Sequence, residues 1–410
     1  MRQEVSTMSI ELKVKQLVEE FYDEIVEIRR DIHMHPELSE QEERTMNLIS
    51  EKLTAWGIPH TTMIGGHGVV GWVEGKAAPS MERKFEAVGI RGDIDALPIQ
   101  ELADVPFKSV NDGVMHACGH DMHGAMLLGS AKILKALENE FSGTVKFFFQ
   151  PAEETVGGAD PMIKDGCLQN PEVGAVISFH VTENHPTGHI EMRHGKMNAA
   201  ICDLIMQIEG VSCHGAHPEN GVDAIVVASN IVTALQSIIS RNLSPTNSGI
   251  ITIGTFHAGT KDNIVAGTVD ITGTLRALDL DTMATLKARV KTTAENIAAA
   301  YGAKAHVTLL DNFPPLVNDD ELFGVMEGLI KKHLGEDKIY YKPEASLGGD
   351  DFAYFCNAAK GIYMNVGVNP GTRKHPQLAH NEYFEPDEEG MKAGMLLEVL
   401  GALELLKKEK

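Results

Sequence analysis

Long apolar runs are missing from this chain of 410 residues. None approaches the roughly 18 residues that cross a bilayer, so no membrane association is expected. Cysteine is scarce too. Five are scattered at positions 118, 167, 202, 213 and 356, an odd number too dispersed for a disulfide framework. The opening stretch Met1 to Glu11 has no apolar core and no cleavage-like site, so a cytoplasmic protein without a secretory signal is expected. Basic residues are outnumbered: 36 Lys and Arg against 58 Asp and Glu leave a formal charge of −22. Such a balance repels phosphate-rich partners and argues against nucleic-acid binding. A hydrophobic content of 43% with 23% charged residues is that of a soluble globular protein. The length exceeds that of a single ordinary core, so two domains are expected.

What is present is concentrated. The 18 His and 5 Cys, spread evenly, would place about half of one such residue in an eight-residue window. His116-Ala117-Cys118-Gly119-His120-Asp121-Met122-His123 holds four. Imidazole and thiolate suit borderline-soft divalent metals, and Asp121 adds a carboxylate. Cys118 and His120 reach one point only from extended backbone or a turn. The apolar run from Ala125 to Leu137 then reads as a helix, which puts the pair at a strand-to-helix turn.

Three near-continuous apolar strands deliver polar groups at their ends. Phe85 to Ile90 leads into Arg91-Gly92-Asp93-Ile94-Asp95, Val145 to Phe149 into Gln150-Pro151-Ala152-Glu153-Glu154, and Ala175 to Phe179 into His180. Strands of this kind, separated by helices, predict an α/β fold with a mainly parallel sheet covered on both faces. Ligands bind beyond the carboxyl ends of such strands. In a strand-end turn Glu153 and Glu154 point different ways, so one can bind metal while the other serves as a general base. Asp93 and Asp95 share one side of extended backbone and can orient a ligand histidine. His375 and His380 follow the last strand, Gly361 to Val366, at the same edge.

Earlier in the chain, Ile10 to Ile32 has helical spacing and closes at His33-Met34-His35-Pro36. His33 and His35 read as loop histidines with surface partners. Ser39-Glu40-Gln41-Glu42 reads as a capping box opening a second helix.

Between residues 197 and 313 the pattern is strand, helix, strand, strand, helix, strand, an inserted ferredoxin-like (split βαβ) unit. The flanking segments, 1–196 and 314–410, form the parallel-sheet domain. The insert carries Ser212-Cys213-His214-Gly215-Ala216-His217-Pro218, read as one functional histidine near substrate. Asn263 and Arg276 are suited to gripping a substrate carboxylate, or equally to a plain surface role.

Arg91 to Pro98, His116 to Asp121, Gln150 to Glu154 and Leu378-Ala379-His380-Asn381 resemble a metallopeptidase superfamily that includes carboxypeptidase G and aminoacylase. With Arg29 to Leu38, the resemblance is nearest to its amidohydrolase branch of N-acyl-amino-acid amidohydrolases, hippurate hydrolases and plant auxin-conjugate hydrolases. It implies a zinc-peptidase-like catalytic domain with an inserted lid and dimerisation domain. It also implies two divalent metals, zinc or manganese before cobalt or nickel, on Cys118, His120, Glu154, His180 and His380. Glu153 would be the general base and Asp95 the acid behind the site. His214 would reach the partner subunit's site in a homodimer, and Asn263 and Arg276 would bind the substrate carboxylate. The implied reaction is hydrolysis of N-acyl amino acids, with dipeptidase or carboxypeptidase action on the same site as the alternative. Gly348-Gly349-Asp350-Asp351 and Ser212 to Gly215 depart from the branch pattern, so specificity is expected to differ while the chemistry holds.

Overall fold

The computed structural model describes residues 8–78, 83–155, 157–372 and 378–407, so His375 lies outside the described residues. The chain forms two compact units. One comprises Met1–Gly195, Val317–Pro343 and Asp351–Lys410, the other Lys196–Leu316 with Glu344–Asp350.

The first unit is built on an eight-stranded sheet. Its centre is four parallel strands in the order Ser142–Gln150, Ala87–Asp93, Val173–Pro186, Lys360–Asn369. Every residue of Ala87–Asp93 is buried, which explains the unbroken apolar run Ala87 to Ile90 ahead of the paired charges of Arg91 and Asp93. Antiparallel strands His60–Ile64 and Gly68–Lys76 extend one side. The Val173–Pro186 strand runs past the end anticipated from sequence, so His180 stands within it, opposite Asn365, rather than after it.

Helices His120–Ala136 and Gly390–Leu405 pack on this sheet and on each other, and Ile10–Met34 packs on both of them. The first two bury nearly every residue, so neither has an amphipathic stripe. Between them lies Glu398, 2% exposed, accepting a hydrogen bond from Ser130 Oγ at 2.5 Å. Burial raises its pKa to about 8 against 4.5 for a free glutamate. The folded state therefore binds the extra proton, and stability falls as pH rises from about 4.5 to about 8, remaining low above that. Glu398→Gln keeps an acceptor for Ser130 without the charge. It is expected to match wild type near pH 5 and to melt several degrees higher at pH 8.5, by calorimetry.

Two local expectations are overturned in this unit. His33 is not a loop histidine with surface partners. It ends a longer helix, is 1% exposed, and its Nδ1 donates to Asp121 Oδ2 at 2.7 Å while Nε2 faces Glu101 Oε1 at 3.2 Å. The capping box does not form. The second helix is Glu43–Ala55 with no side-chain cap from Glu42, and Glu37 accepts from Arg44 N and Thr45 N instead. Both corrections have one cause: distant buried groups compete for these side chains and win over local geometry.

The second unit has a four-stranded antiparallel sheet in the order Gly249–Ala258, Thr268–Ala277, Ala200–Glu209, Lys304–Phe313. Helices Ala224–Asn242 and Leu280–Ala300 complete a split βαβ arrangement with its own core. Residues 344–350 pack with this unit, whereas the boundaries expected from sequence put them in the flanking one. Ala199 N donates to Gly348 O, Ser346 N to Met197 O, and Arg276 Nη1 to Leu347 O. The helix Ala224–Asn242 is the one described helix long and apolar enough to cross a membrane by length and mean composition, although polar residues such as Ser229, Asn230 and Gln236 interrupt its apolar run. Its buried face, including Val227, Ile231 and Leu235, packs on the unit's own sheet.

Candidate metal centre

Parallel topology brings the three strand ends to one edge. After Gln150 the chain turns through Ala152 into Glu153 and Glu154, and Ile94 N donates to Gln150 O at 3.0 Å, tying the neighbouring Asp95 turn alongside. The Cys118 turn enters the His120–Ala136 helix through Gly119, whose φ is +90°. A Cβ at Gly119 would lie 2.3 Å from Val181 Cγ2, so glycine is required twice, for the conformation and for the space. His380, from the loop after the last parallel strand, donates its backbone N–H to Ala117 O at 2.7 Å and so joins the same turn.

These turns converge. Donor atoms of Cys118, His120 and His180 lie within 4.8 Å of one another, as do those of Cys118, Glu154 and His380, and those of His120, Glu153 and Glu154. Cys118 Sγ is 3.3 Å from His180 Nε2, and Glu154 Oε1 is 3.3 Å from His380 Nε2 and 3.9 Å from His120 Nε2. The far ring nitrogens set the tautomers. His120 Nδ1 donates to Asp95, with Oδ1 at 3.0 Å, and His180 Nδ1 donates to Val181 O at 2.6 Å. Each Nε2 is thereby left with its lone pair aimed into the cluster.

Asp95 is 1% exposed and also accepts from Ser39 Oγ at 2.7 Å and Glu154 N at 3.0 Å. It therefore orients a histidine and the glutamate turn together. Burial opposes its charge, yet the bonds from His120, Glu154 N and Ser39 hold its pKa below the usual carboxylate range. Asp93 belongs to a different set. It accepts from Arg91 Nη1 at 2.6 Å and from His123 Nδ1, and Arg91 continues to Gln150 and Asp351. Burial works against its charge too, but Arg91 and the two histidines outweigh it and keep the pKa well below normal. His123 Nε2 accepts from Val181 N at 2.9 Å, and burial lowers the pKa of this histidine to about 4. Asp93, His120 and His123 also cluster, but the hydrogen bonds of Asp93 and His123 occupy their donor atoms. They act as a strut beneath the site.

Residues hard to find by pattern complete the support. Arg29 Nε is 2.8 Å from Asp121 Oδ2, with both side chains buried, and Asp121 is shared with His33. Asp351 takes Arg91 Nη2, Gln150 Nε2 and Ala159 N. The doubled aspartate at 350–351 was a signal, but its partners lie some 190 to 260 positions away.

The cluster fits divalent cations. His120 Nε2 and Glu154 Oε1 are buried polar atoms without a hydrogen-bond partner, and they face each other. Burying such atoms unpaired is costly, and a cation would satisfy both. Burial pushes the Cys118 thiol pKa up, despite His120 nearby, and a bound cation would keep the thiolate. Burial likewise disfavours the negative charge of Glu154, but His380 and His120 outweigh it and hold its pKa low.

Comparison with known proteins now decides the family. Residues 89–401 match the peptidase family M20/M25/M40. The chain belongs to that family. An N-acetyl-L-cysteine deacetylase of Bacillus subtilis is 36% identical over 347 residues, covering 84% of this chain and 80% of that protein. Thermostable carboxypeptidase 2 of Saccharolobus solfataricus is 34% identical over 405 residues, covering 98% and 100%. A dinuclear metal-binding M20 peptidase of B. subtilis superposes with a TM-score of 0.80 at 30% identity, over 95% of this chain and 99% of that one. This M20-family chain is a hydrolase with a metal-binding cluster at the carboxyl edge of its parallel sheet.

The second unit places the remaining residues. His214 and Asn263 are neighbours: His214 pairs across strands with Ile264, and Gly215 N donates to Asn263 O at 2.8 Å. Arg276 is at the opposite end of the Thr268–Ala277 strand, about 27 Å along it. The structure thus brings His214 and Asn263 together and separates both from Arg276 within this unit. His217 Nδ1 is 3.4 Å from Glu219 in an exposed pair.

Proposed function

We propose that this enzyme hydrolyses the amide bond of N-acyl amino acids, releasing a carboxylic acid and a free amino acid. The observation that carries the reading is the Glu153–Glu154 turn, where adjacent carboxylates sit together at a nitrogen- and sulfur-rich cluster. Cys118, His120, Glu154, His180 and His380 would hold two divalent cations, zinc or manganese by their donor chemistry. Such cations supply Lewis acidity toward the scissile carbonyl and the attacking water. Glu153 removes the proton from that water and delivers it to the leaving amine. Asp95 keeps His120 in the tautomer that presents Nε2 inward.

The deacetylase supports this reading, and the carboxypeptidase supports a second, peptide hydrolysis on the same site. Acetyl- and benzoyl-amino acids assayed beside dipeptides and blocked dipeptides, with Mn²⁺-, Zn²⁺-, Co²⁺- and Ni²⁺-loaded enzyme, separate the two. Turnover confined to peptides with a free α-amine would refute the deacylase reading. A cytoplasmic location accords with the cysteine pattern.

The second unit is proposed as a lid and dimerisation domain. Its Gly249–Ala258 strand is an open sheet edge, and beside it the Ala224–Asn242 helix exposes Ile225 and Val226. Pairing with the same edge of a second copy would cover both. In that homodimer His214, with Asn263 beside it, serves the partner's metals, where His214 stabilises the oxyanion. A substrate carboxylate gripped by both Asn263 and Arg276 then draws on two copies of the chain. Inactive Glu153→Gln mixed with inactive His214→Ala is expected to regain activity on subunit exchange, because each mixed dimer carries one site with both defects and one with neither. Exchange without recovery would place His214 in its own subunit's site or outside catalysis.

A further inference from the structure

Glu153 stands on a backbone that needs outside support. The residue before it, Ala152, has φ +55°, a left-handed conformation that an alanine keeps only where its surroundings impose it. Three main-chain bonds impose it here. Gly157 N donates to Ala152 O at 2.9 Å, Glu154 N to Asp95 Oδ2 at 3.0 Å, and Ala152 N to Glu42 Oε1 at 2.8 Å. The Asp95 bond belongs to the cluster itself. The Glu42 bond comes from the start of the second helix, far earlier in the chain.

Glu42 is an unusual residue to find there. It is fully buried, 0% exposed, and a carboxylate is expensive to bury without a task. Helix capping is not that task, since Glu37 does it. Oε1 is shared between Ala152 N and Glu40 N, the latter at 3.1 Å. Glu40 itself has φ +66°, so one carboxylate oxygen fastens two left-handed residues. Oε2 faces His67 Nδ1 at 3.4 Å, from the turn between the first two strands. Ser39, in the same short loop, bonds Asp95. The 37–42 loop therefore reaches the glutamate turn twice, through Ser39 by way of Asp95 and through Glu42 directly.

We propose that Glu42 is a positioning residue for Glu153: by holding the Ala152 peptide it aims the general base. The inference rests on the reading of Glu153 as that base. Misplacement of a catalytic group by about 1 Å can cost about 100-fold in rate, so the peptide ahead of Glu153 is a sensitive place to anchor.

A double-mutant cycle tests it, with metal content and thermal melting followed for each protein and an N-acetyl amino acid as substrate. Glu42→Ala is expected to lower kcat about 10- to 100-fold, with KM and the two-metal content unchanged. Glu42→Gln retains an oxygen for Ala152 N and should recover most of that loss. On a Glu153→Gln background, where the aimed group no longer accepts a proton, Glu42→Ala should cost less than about twofold. Equal losses in both backgrounds would make Glu42 merely structural and overturn the inference. So would full kcat in Glu42→Ala, or a Glu42→Gln as poor as Glu42→Ala. Should Glu42→Ala not fold, Glu42→Asp retracts the acceptor by one methylene with its charge kept. The cycle run with Glu42→Asp then supports or overturns the inference by the same comparison of losses in the two backgrounds. Wild-type activity in Glu153→Gln alone would instead bring down the base assignment, a failure distinct from any outcome at Glu42.

Discussion

Glu153→Gln is expected to keep its metal and lose kcat by about 10²-fold or more, the usual contribution of a general base. Glu154→Gln is expected to lose metal along with activity. The structure gives the two carboxylates different surroundings. Glu154 Oε1 is a buried oxygen facing His120 and His380, so an amide there replaces an anionic donor by a neutral one. Glu153 is 9% exposed and comes within 4.8 Å of His120 and Glu154, near enough to take a proton from a water in the cluster. Metal analysis beside steady-state kinetics checks both variants. Metal lost from Glu153→Gln and kept in Glu154→Gln would reverse the roles.

Exhaustive chelation is expected to abolish activity, and added Zn²⁺ or Mn²⁺ to restore it. Cys118→Ser should weaken metal binding by an order of magnitude or more, because a serine hydroxyl stays protonated where a thiol can ionise. The sulfur is common to two of the donor groups, with His120 and His180 and with Glu154 and His380. Its loss therefore bears on more than one cation. A competition titration with a chromophoric chelator measures the change. Full activity after verified removal of all metal would refute the metal-dependent reading.

Much of this protein was legible because its signals are short in range. Parallel strands show themselves by unbroken apolar runs, and strand ends by the polar residues that follow them, as in Gln150 to Glu154. The Cys118–His120 spacing and the density of histidine around it needed no knowledge of distant contacts. The insert was readable from its strand and helix order. What was misread is long in range. His33 looks like a helix-end histidine until Asp121, 88 positions away, is seen to bind it. Ser39 and Glu42 fit a capping box, but their partners are Asp95, 56 positions on, and Ala152, 110 positions on. A local rule cannot weigh such partners, since burial strengthens each bond only once the chain has folded.

The full ligand set was what the family resemblance implied. From composition, periodicity and spacing followed the α/β class, the strand and helix order of the insert, and a group of candidate donors around Cys118, His120, the Glu153–Glu154 turn and His180. Those features depend on backbone preference and side-chain chemistry, which each short segment carries with it. The tertiary structure alone decided which ring nitrogen of His120 faces inward, and that Asp93 serves as a strut with Arg91 and His123. It also decided that Arg276 stands a strand's length from His214 and Asn263, and that Glu42 holds the peptide before Glu153. Each of these is a choice among competing hydrogen-bond partners. Only the packed sheet and helices, by excluding water and setting distances, make one partner the best.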